Sequence, residues 1–348
     1  MNSGLEGIVA AETRLSMVDG ERGELVIGGH RVEELSSWHF EDVVRLLWGL
    51  AGFEGAVKVA PIPAHTQLLL RNAASAMDAL RVGVASLSAE DDDAAAELLV
   101  GAFPTIVAAY WRMQQGLEPI EPRADLGLAA NYLYMLRGEV PHEELVRGLE
   151  TYLNTVVEHG MNASTFTARV IASTGSDLVS AITGALGALK GPLHGGAPGP
   201  ALDMVFEIGE ASRAEEVLRA KIAGGERLMG FGHRIYKVRD PRADVLAKAA
   251  ERMFTRAGDM RLYELARSVE STALRLLEEH KPGRRLQTNV EFYTALVLHG
   301  LGLEVPLFTP TFAIARVAGW TAHCFEQRAV GRIIRPASVY VGALPAMV

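Results

Sequence analysis

Residues 230–242 read GFGHRIYKVRDPR, and this stretch combines several features of a ligand-binding loop. Gly230 and Gly232 bracket an aromatic residue, and glycines at such spacing let a backbone approach a ligand closely. His233 can donate a hydrogen bond or exchange a proton near neutral pH. The basic residues that follow can bind carboxylate or phosphate groups. Taken alone, the stretch fits equally well a helix end followed by a solvated basic turn, so the rest of the chain must decide.

The composition is that of a soluble globular protein. Hydrophobic residues make up 49% of the 348 residues and charged residues 22%, which is enough apolar sequence for a large core divided into two domains. The net charge of -8 argues against nucleic acid as a main partner. Cys324 is the only cysteine, so an internal disulfide is impossible, and we interpret it as a core residue rather than a catalytic one.

Neither the N-terminus nor the most apolar stretch predicts export or membrane insertion. The first residues lack the basic and apolar regions of a signal peptide. Residues 94–111 are the most apolar, but Glu97 and Pro104 interrupt them, as is typical of a buried helix. We therefore expect a cytoplasmic protein without a membrane partner.

Helical periodicity dominates the sequence, and one small β element precedes it. Residues 19–23 have turn composition and lead into a short strand, Glu24–Ile27. No later segment has the repeated alternation of an open sheet, so we predict a mainly α, multi-helical fold with a small N-terminal β element. Helical patterns cover residues 40–50, 65–80, 94–115, 177–190, 241–254, 263–279, 289–299 and 311–327, the last with Thr309 as N-cap.

The composition changes after residue 191, where glycine, proline and charged residues become denser. This change predicts a smaller helical domain, residues 194–297, inserted into a larger domain formed by residues 1–193 and 298–348. Within the 177–190 pattern, Gly184 and Gly187 predict very close contact with another helix.

Three histidines and an arginine stand out as candidate functional residues. His159 lies in a polar cluster, and His194 comes just before the next predicted helix. The partial positive charge of a helix N-terminus keeps such a histidine neutral, so that it can donate a hydrogen bond to a carbonyl. His233 belongs to the stretch described first. Arg316 is the only charge in an apolar helix, where a buried guanidinium needs an anion or a full set of hydrogen bonds.

Simpler interpretations stay open for these residues. Histidines beside glycine and proline often cap helices or pack in cores, and Arg316 could pair with a core carboxylate. The histidines at 159, 194 and 233 are 35 and 39 residues apart, which matches no compact ligand pattern, so no metal site is expected. A GxxxxGK[ST] phosphate loop is absent, and no glycine cluster follows a strand.

Several ordered motifs make the chain resemble the citrate synthase family from about Gly4 to Gly342. Its length resembles the compact bacterial and archaeal form. The resemblance implies the family's two-domain, multi-helical fold, with much of the CoA and catalytic site on the small domain, and a homodimer. The motifs are residues 4–13, 159–165, 191–197, 230–242, 289–293, 307–327 and 332–336.

The resemblance also implies individual roles. His194 would stabilise the enol of acetyl-CoA, His233 would polarise the oxaloacetate carbonyl, and Glu291 would remove the methyl proton. The implied oxaloacetate contacts are His159, His233, Arg242, Arg316 and, from the neighbouring subunit, Arg335. The implied CoA contacts are Leu228, Met229, Gly230, Phe231, Gly232, Lys237, Arg239, Arg284 and Arg285.

The sequence departs from the family at three places. Glu291 stands where the family usually has aspartate, and a misplacement of about 1 Å can cost about 10²-fold in rate. Residues 28–30, Gly-Gly-His, replace the usual Arg-Gly-Tyr, and Gln287-Thr288 replaces an aromatic-proline pair. These changes bear on efficiency and acyl-group choice rather than on the fold.

The expected activity is condensation of acetyl-CoA with oxaloacetate, followed by hydrolysis of the thioester to citrate and CoA. This is an acyltransferase reaction of the tricarboxylic acid cycle, with a CoA thioester as substrate and no tightly bound cofactor. One alternative is 2-methylcitrate synthase, which uses propionyl-CoA, because one methylene changes discrimination by only about 1–3 kcal/mol. Another is a catalytically impaired paralogue that binds CoA or a dicarboxylate, supported only by Glu291 and residues 28–30.

Overall fold

The computed structural model describes residues 4–5, 7–194 and 198–343. Within these ranges the chain forms fifteen α-helices and one three-stranded sheet, which confirms the mainly α fold with a small N-terminal β element. The quoted motif residues Glu6 and 195–197 lie outside the described residues.

The sheet forms where the sequence predicted a β element. Its strands, β1 (Ser16–Asp19), β2 (Glu24–Ile27) and β3 (His30–Arg31), pair antiparallel in chain order. The β1–β2 turn lies directly against the 230–242 stretch, because the Gly20 carbonyl accepts a hydrogen bond from the Lys237 N–H. A Cβ at Gly20 would lie 2.3 Å from the Ile235 carbonyl oxygen, so only glycine fits this contact.

The helices follow the predicted patterns closely, and several begin at a side-chain cap. Asp240 caps α12 and Asn289 caps α14, each accepting a backbone N–H of the first turn. The helices are α1 (Val32–Leu35), α2 (Phe40–Leu50), α3 (Ala64–Leu70), α4 (Ala76–Ala85), α5 (Asp92–Gln114), α6 (Leu128–Arg137), α7 (Glu143–Val156), α8 (Ala163–Ala172), α9 (Leu178–Leu189), α10 (Pro198–Ile208), α11 (Ala214–Ala223), α12 (Pro241–Ala257), α13 (Arg261–His280), α14 (Val290–Gly300) and α15 (Phe308–Val330). Short 3-10 helices at Ala211–Arg213 and Val305–Leu307 precede α11 and α15.

Helix α15 forms the centre of the core. Every residue from 313 to 324 is buried, and the helix packs against α2, α5, α7, α8 and α9. A helix that is apolar all round is stable only when other elements surround it. Arg316 and His323 are therefore held in a dry interior, and Cys324 is a buried core residue as interpreted from the sequence.

Three local predictions were wrong. The 65–80 pattern is two helices, because Ser75 accepts the Asp78 N–H and caps a new helix, α4. Thr309 is not the N-cap of α15, since the 3-10 turn Val305–Leu307 runs into the helix one turn earlier. Gly184 does face another helix, with an added Cβ only 2.2 Å from Ile171, but Gly187 faces open space.

Helices α10 to α14 pack on one another and reach the rest of the chain mainly through α12. Helix α12 packs against α14 on one side and α7 on another. Helices α11 and α13 are joined at the surface by Arg219 and Arg275, each of which pairs with both Glu215 and Glu279. The division into domains at residues 194 and 297 stays a prediction.

Helix α5 is long and apolar enough to cross a membrane by composition alone. In the fold, 78% of its most apolar window is buried, as in the core helix of a soluble protein. Helices α14 and α15 pass the same test only if taken together, and they are bent by 118°.

Candidate active site

The loop of residues 230–232 pairs with the segment that begins α14. The Gly232 N–H donates to the Gln287 carbonyl at 2.7 Å, and the Asn289 N–H donates to the Gly230 carbonyl at 3.0 Å. Gly230 has a φ of +87°, and a Cβ there would lie 2.9 Å from Phe292. A residue with a side chain would therefore push the loop away from the helix that carries Glu291.

His233 has a defined tautomer. Its Nδ1 accepts hydrogen bonds from the N–H groups of Ile235 and Tyr236, at 3.0 and 3.1 Å. The single proton of the neutral ring therefore lies on Nε2. Burial, followed by the charge of Arg242, lowers the pKa of His233 to about 4, so the ring is neutral at pH 7. A neutral imidazole with its N–H exposed on one side can polarise a carbonyl.

Arg242 converges on the same place as His233. Its Nη2 lies 3.4 Å from His233 Nε2, so the guanidinium and the imidazole are adjacent. Asp240, fully buried, holds the guanidinium through Nε at 3.0 Å and Nη2 at 2.8 Å. Asp240 also accepts the Val290 N–H at 3.1 Å, which ties the arginine to α14.

His159 lies beside these groups across a second loop. Its ring centroid is 5.8 Å from that of His233, and its Nε2 is 3.2 Å from the Tyr236 hydroxyl. Burial and the positive charges of Arg242 and Arg316 hold the pKa of His159 well below its usual value. The site thus contains two neutral histidines close to guanidinium groups.

Glu158 anchors the His159 loop. Its Oε1 accepts hydrogen bonds from Ser16 Oγ, the Gly160 N–H and His323 Nε2. His323 Nδ1 accepts from Arg169, so the histidine must donate to Glu158. Burial raises the pKa of Glu158, but His323 and the charge of Arg316 outweigh it and keep the carboxylate ionised.

His194 is held by hydrogen bonds that are separate from those of His159 and His233. Its Nε2 is 2.8 Å from Ser164 Oγ, which accepts from Trp320 Nε1 and donates to Asn162 Oδ1 at 2.8 Å. The pKa of His194 is lowered to about 4, as the sequence led us to expect. Burial is the largest cause of this shift, and the charge of Arg316 is the second.

Arg316 is buried with no carboxylate partner in the described part of the chain. Its Nε donates to the Val156 carbonyl at 2.9 Å, and its Cζ lies 4.5 Å from the Phe312 ring centroid. Burial lowers the pKa of Arg316 to about 10, although the negative charge of Glu158 opposes this shift. The alternative that Arg316 pairs with a core carboxylate therefore has no support, and the guanidinium is available to an anionic ligand.

Glu291 lies in the first turn of α14, with its N–H bound to the Asn289 side chain. Among the described residues, its carboxylate has no hydrogen bond or ion pair within the usual limits. Burial raises its pKa, while Arg242 and Arg227 lower it and Asp240 raises it slightly further. A partly desolvated, unpaired carboxylate has the properties of a general base.

The predicted CoA residues divide by environment. Leu228 and Phe231 are buried, Met229 is half-buried, and Arg284 and Arg285 are exposed in the loop after α13. Lys237 is exposed, with its ammonium bound to the Arg234 carbonyl. Arg239 pairs with Glu270 at 2.6 Å and with Asp244, so its charge is already balanced within the chain.

Arg335 is not brought to the other site residues within this chain. It is exposed in the segment after α15, which has no helix or strand. That segment is attached through the Ile334 N–H, which donates to Ser173 Oγ at 3.0 Å. The role of Arg335 in a neighbouring subunit stays a prediction.

The sequence did not reveal the roles of Tyr236, Asp240, Ser164 and Glu158. Three of them lie in motifs quoted above, and Glu158 directly precedes one, so proximity to the motifs was the available signal. Among the described residues, no group of three or more His, Cys, Asp or Glu side chains is placed to hold a metal ion.

A known family model and known proteins match this chain over nearly its whole length. The family model described as citrate synthase, C-terminal domain, matches residues 4–337. The citrate synthase of Synechocystis sp. is 40% identical, over 97% of this chain and 90% of that protein. The 2-methylcitrate synthase of Mycobacterium tuberculosis is 37% identical, over 98% and 91%.

Solved structures are similar to this one over nearly the whole chain. The citrate synthase of Pyrobaculum aerophilum superposes with a TM-score of 0.88 at 35% identity, covering 99% of this chain and 93% of that one. The enzyme of Thermoplasma acidophilum, solved as a ternary complex with carboxymethyl coenzyme A and oxaloacetate, gives 0.87 at 28% identity, covering 100% and 98%. The family model and the curated relatives each cover nearly the whole chain, which therefore belongs to the citrate synthase family, whose members are acyltransferases.

Proposed function

We propose that this protein condenses acetyl-CoA with oxaloacetate and then hydrolyses the thioester to release citrate and CoA. The observation that carries the proposal is that the Arg242 guanidinium lies beside the neutral His233 ring, with Nη2 3.4 Å from Nε2. A guanidinium can bind a carboxylate and a neutral imidazole N–H can bind a ketone oxygen, so the pair suits a keto acid. Arg316, buried without a carboxylate partner in the described chain, is the second cation that a small dianion requires.

The remaining groups support the proton transfers of this reaction. Glu291 would take the methyl proton of acetyl-CoA, while neutral His194 donates a hydrogen bond to the thioester oxygen. The resulting carbon nucleophile attacks the ketone carbon that His233 polarises, and water then cleaves the C–S bond.

For CoA, we propose that Lys237, Arg284 and Arg285 supply positive charge to the phosphates and residues 228–232 contact the adenine. Arg285 has a φ of +48°, in the left-handed region that favours glycine. Strained backbone of this kind often occurs at binding sites. Arg239 is the weakest member of the proposed set, because Glu270 and Asp244 already neutralise it.

A homodimer with Arg335 in the partner's cleft is also part of the proposal. Ile333 is 61% exposed and Val341 88% exposed in the segment after α15, and apolar side chains so exposed favour a partner surface. The protein would act in the cytoplasm, where its citrate can enter the tricarboxylic acid cycle.

Steady-state release of free CoA, with acetyl-CoA and propionyl-CoA each assayed against oxaloacetate, tests the proposal. A higher kcat/KM for acetyl-CoA is the expected result. A higher value for propionyl-CoA would assign the 2-methylcitrate synthase activity instead. No turnover with either thioester, together with retained oxaloacetate binding in calorimetry, would identify the impaired paralogue.

A further inference from the structure

Tyr236 contacts both histidines of the proposed oxaloacetate pocket. Its backbone N–H donates to His233 Nδ1 at 3.1 Å, and its hydroxyl lies 3.2 Å from His159 Nε2. The three rings form a triangle, with the tyrosine centroid 4.8 Å from His233 and 5.7 Å from His159. Arg242 lies over the tyrosine ring at 5.8 Å. One residue therefore joins the 230–242 loop to the loop that begins at His159.

The hydroxyl has a single partner among the side chains described. Tyr236 is only 2% exposed, and a buried phenol that lost its partner would leave an unsatisfied polar group. A phenol O–H is a stronger acid than the N–H of a neutral imidazole, so the favourable direction is donation from the phenol to the ring nitrogen. The guanidinium of Arg242 over the ring strengthens this preference, because a nearby cation makes the phenol a better donor.

We propose that Tyr236 is a positioning residue, whose hydroxyl donates to His159 Nε2 and fixes His159 in one orientation and one tautomer. The ring proton of His159 then lies on Nδ1, which becomes its hydrogen-bond donor. A histidine whose donor is already fixed loses less conformational freedom when it binds a carboxylate, and this favours binding. The inference rests on the proposed function for the identity of the ligand, oxaloacetate, but not for the tautomer.

Two tyrosine-to-phenylalanine variants test the proposal. Tyr236→Phe keeps the ring and removes only the hydroxyl. Tyr110→Phe is the matched control, because the buried Tyr110 hydroxyl donates to the Ala73 carbonyl, away from the site. Nitrogen-15 spectra of histidine-labelled protein report the tautomer of each ring, with the His159 signals identified by their loss in His159→Gln. Calorimetry with oxaloacetate reports affinity without requiring turnover.

We expect the Nδ1–H tautomer of His159 in the wild type and in Tyr110→Phe, and a mixture or the Nε2–H tautomer in Tyr236→Phe. The Kd for oxaloacetate should rise about five-fold in Tyr236→Phe, the effect of losing one neutral hydrogen bond. An unchanged His159 spectrum overturns the proposal, and so does a changed spectrum with an unchanged Kd. Absence of turnover in the wild type would count against the proposed function alone, since the spectra still decide the tautomer.

Discussion

Asp240 and Arg242 form a buried ion pair in which one carboxylate binds three nitrogens of the residue two positions later. The contacts are to the backbone N, Nε and Nη2 of Arg242, at 3.0, 3.0 and 2.8 Å. The same chain contains a surface copy of this geometry, in which Asp259 binds the backbone N, Nε and Nη2 of Arg261. Burial is the main difference between the two pairs. The side chains of Asp240 and Arg242 are 0% and 5% exposed, whereas those of Asp259 and Arg261 are 51% and 88% exposed.

This pair of motifs gives a matched experiment. Asp240→Asn leaves the buried Arg242 charge without its anion, and breaking a buried pair in this way costs about 3–5 kcal/mol of unfolding free energy. Oxaloacetate affinity should fall as well, because Arg242 loses the group that aims it beside His233. Asp259→Asn should change neither quantity appreciably, because water screens its pair. Urea unfolding and calorimetry measure both effects, and equal stability losses in the two variants would contradict the role given to burial.

His194 and His233 should each be essential for turnover. Replacing either with alanine should lower kcat by orders of magnitude while leaving the helical circular dichroism intact. The reason is that both histidines lie in loops beside glycines, where the packing of the helical core does not depend on their rings. Near-normal turnover in His194→Ala would rule out its role in stabilising the enol.

His194 should also make stability depend on pH. Its pKa is about 4 in the folded chain against 6.5 in the unfolded chain, so between those values the unfolded state binds the additional proton. Stability is therefore complete above about pH 6.5 and is lost as the pH falls toward 4. Urea unfolding of His194→Ala at several pH values should show a shallower loss than the wild type. His280→Ala, at an exposed histidine, is the control and should follow the wild type.

The fold was largely predictable because helical periodicity and caps are local signals. The ends of α2 were predicted to the residue, and Asp240-Pro241 is a readable helix start. The break between α3 and α4 was missed because Ser75 caps a helix in the middle of an unbroken apolar pattern.

Only part of the candidate site could be proposed from the sequence. The histidines and arginines stood out as residue types, but several of the residues they contact lie far away in sequence. Tyr236 meets His159 across 77 residues, and His323 meets Glu158 across 165. A single sequence contains no signal for such contacts, since they depend on how α8, α12 and α15 pack.

A shared site between subunits is tested by complementation. Arg335→Ala and Arg316→Ala subunits, carrying different affinity tags, can be combined and the heterodimer purified. One of its two sites then has both arginines, so roughly half of the wild-type activity should return in a symmetric dimer. The parent homodimers should both be nearly inactive. No recovery in the heterodimer would mean that Arg335 acts in its own subunit or not at all.

Glu291 should be the base that removes the methyl proton. Glu291→Gln keeps the shape of the side chain but cannot accept the proton, so exchange of acetyl-CoA methyl hydrogens with deuterated solvent should stop. The exchange is measured by NMR with a non-condensing oxaloacetate analogue bound, and binding of that analogue should be nearly unchanged. Glu144→Gln is the matched control, because Glu144 occupies the same position of α7, with its N–H bound to the His142 side chain. Exchange at the wild-type rate in Glu291→Gln would show that another group is the base.

The pH dependence of that exchange follows from the environment of Glu291. Burial raises its pKa above the usual glutamate value, although Arg242 and Arg227 oppose the shift. The rate should therefore fall with decreasing pH, and should begin to fall at a higher pH than an exposed glutamate would require. Glu291→Asp shortens the reach of the carboxylate by about one bond, and a change near 1 Å can alter the rate about 10²-fold. If the loop of residues 230–232 and the start of α14 are built around glutamate, this variant should be slower than the wild type. A faster Glu291→Asp enzyme would mean that glutamate handicaps the reaction.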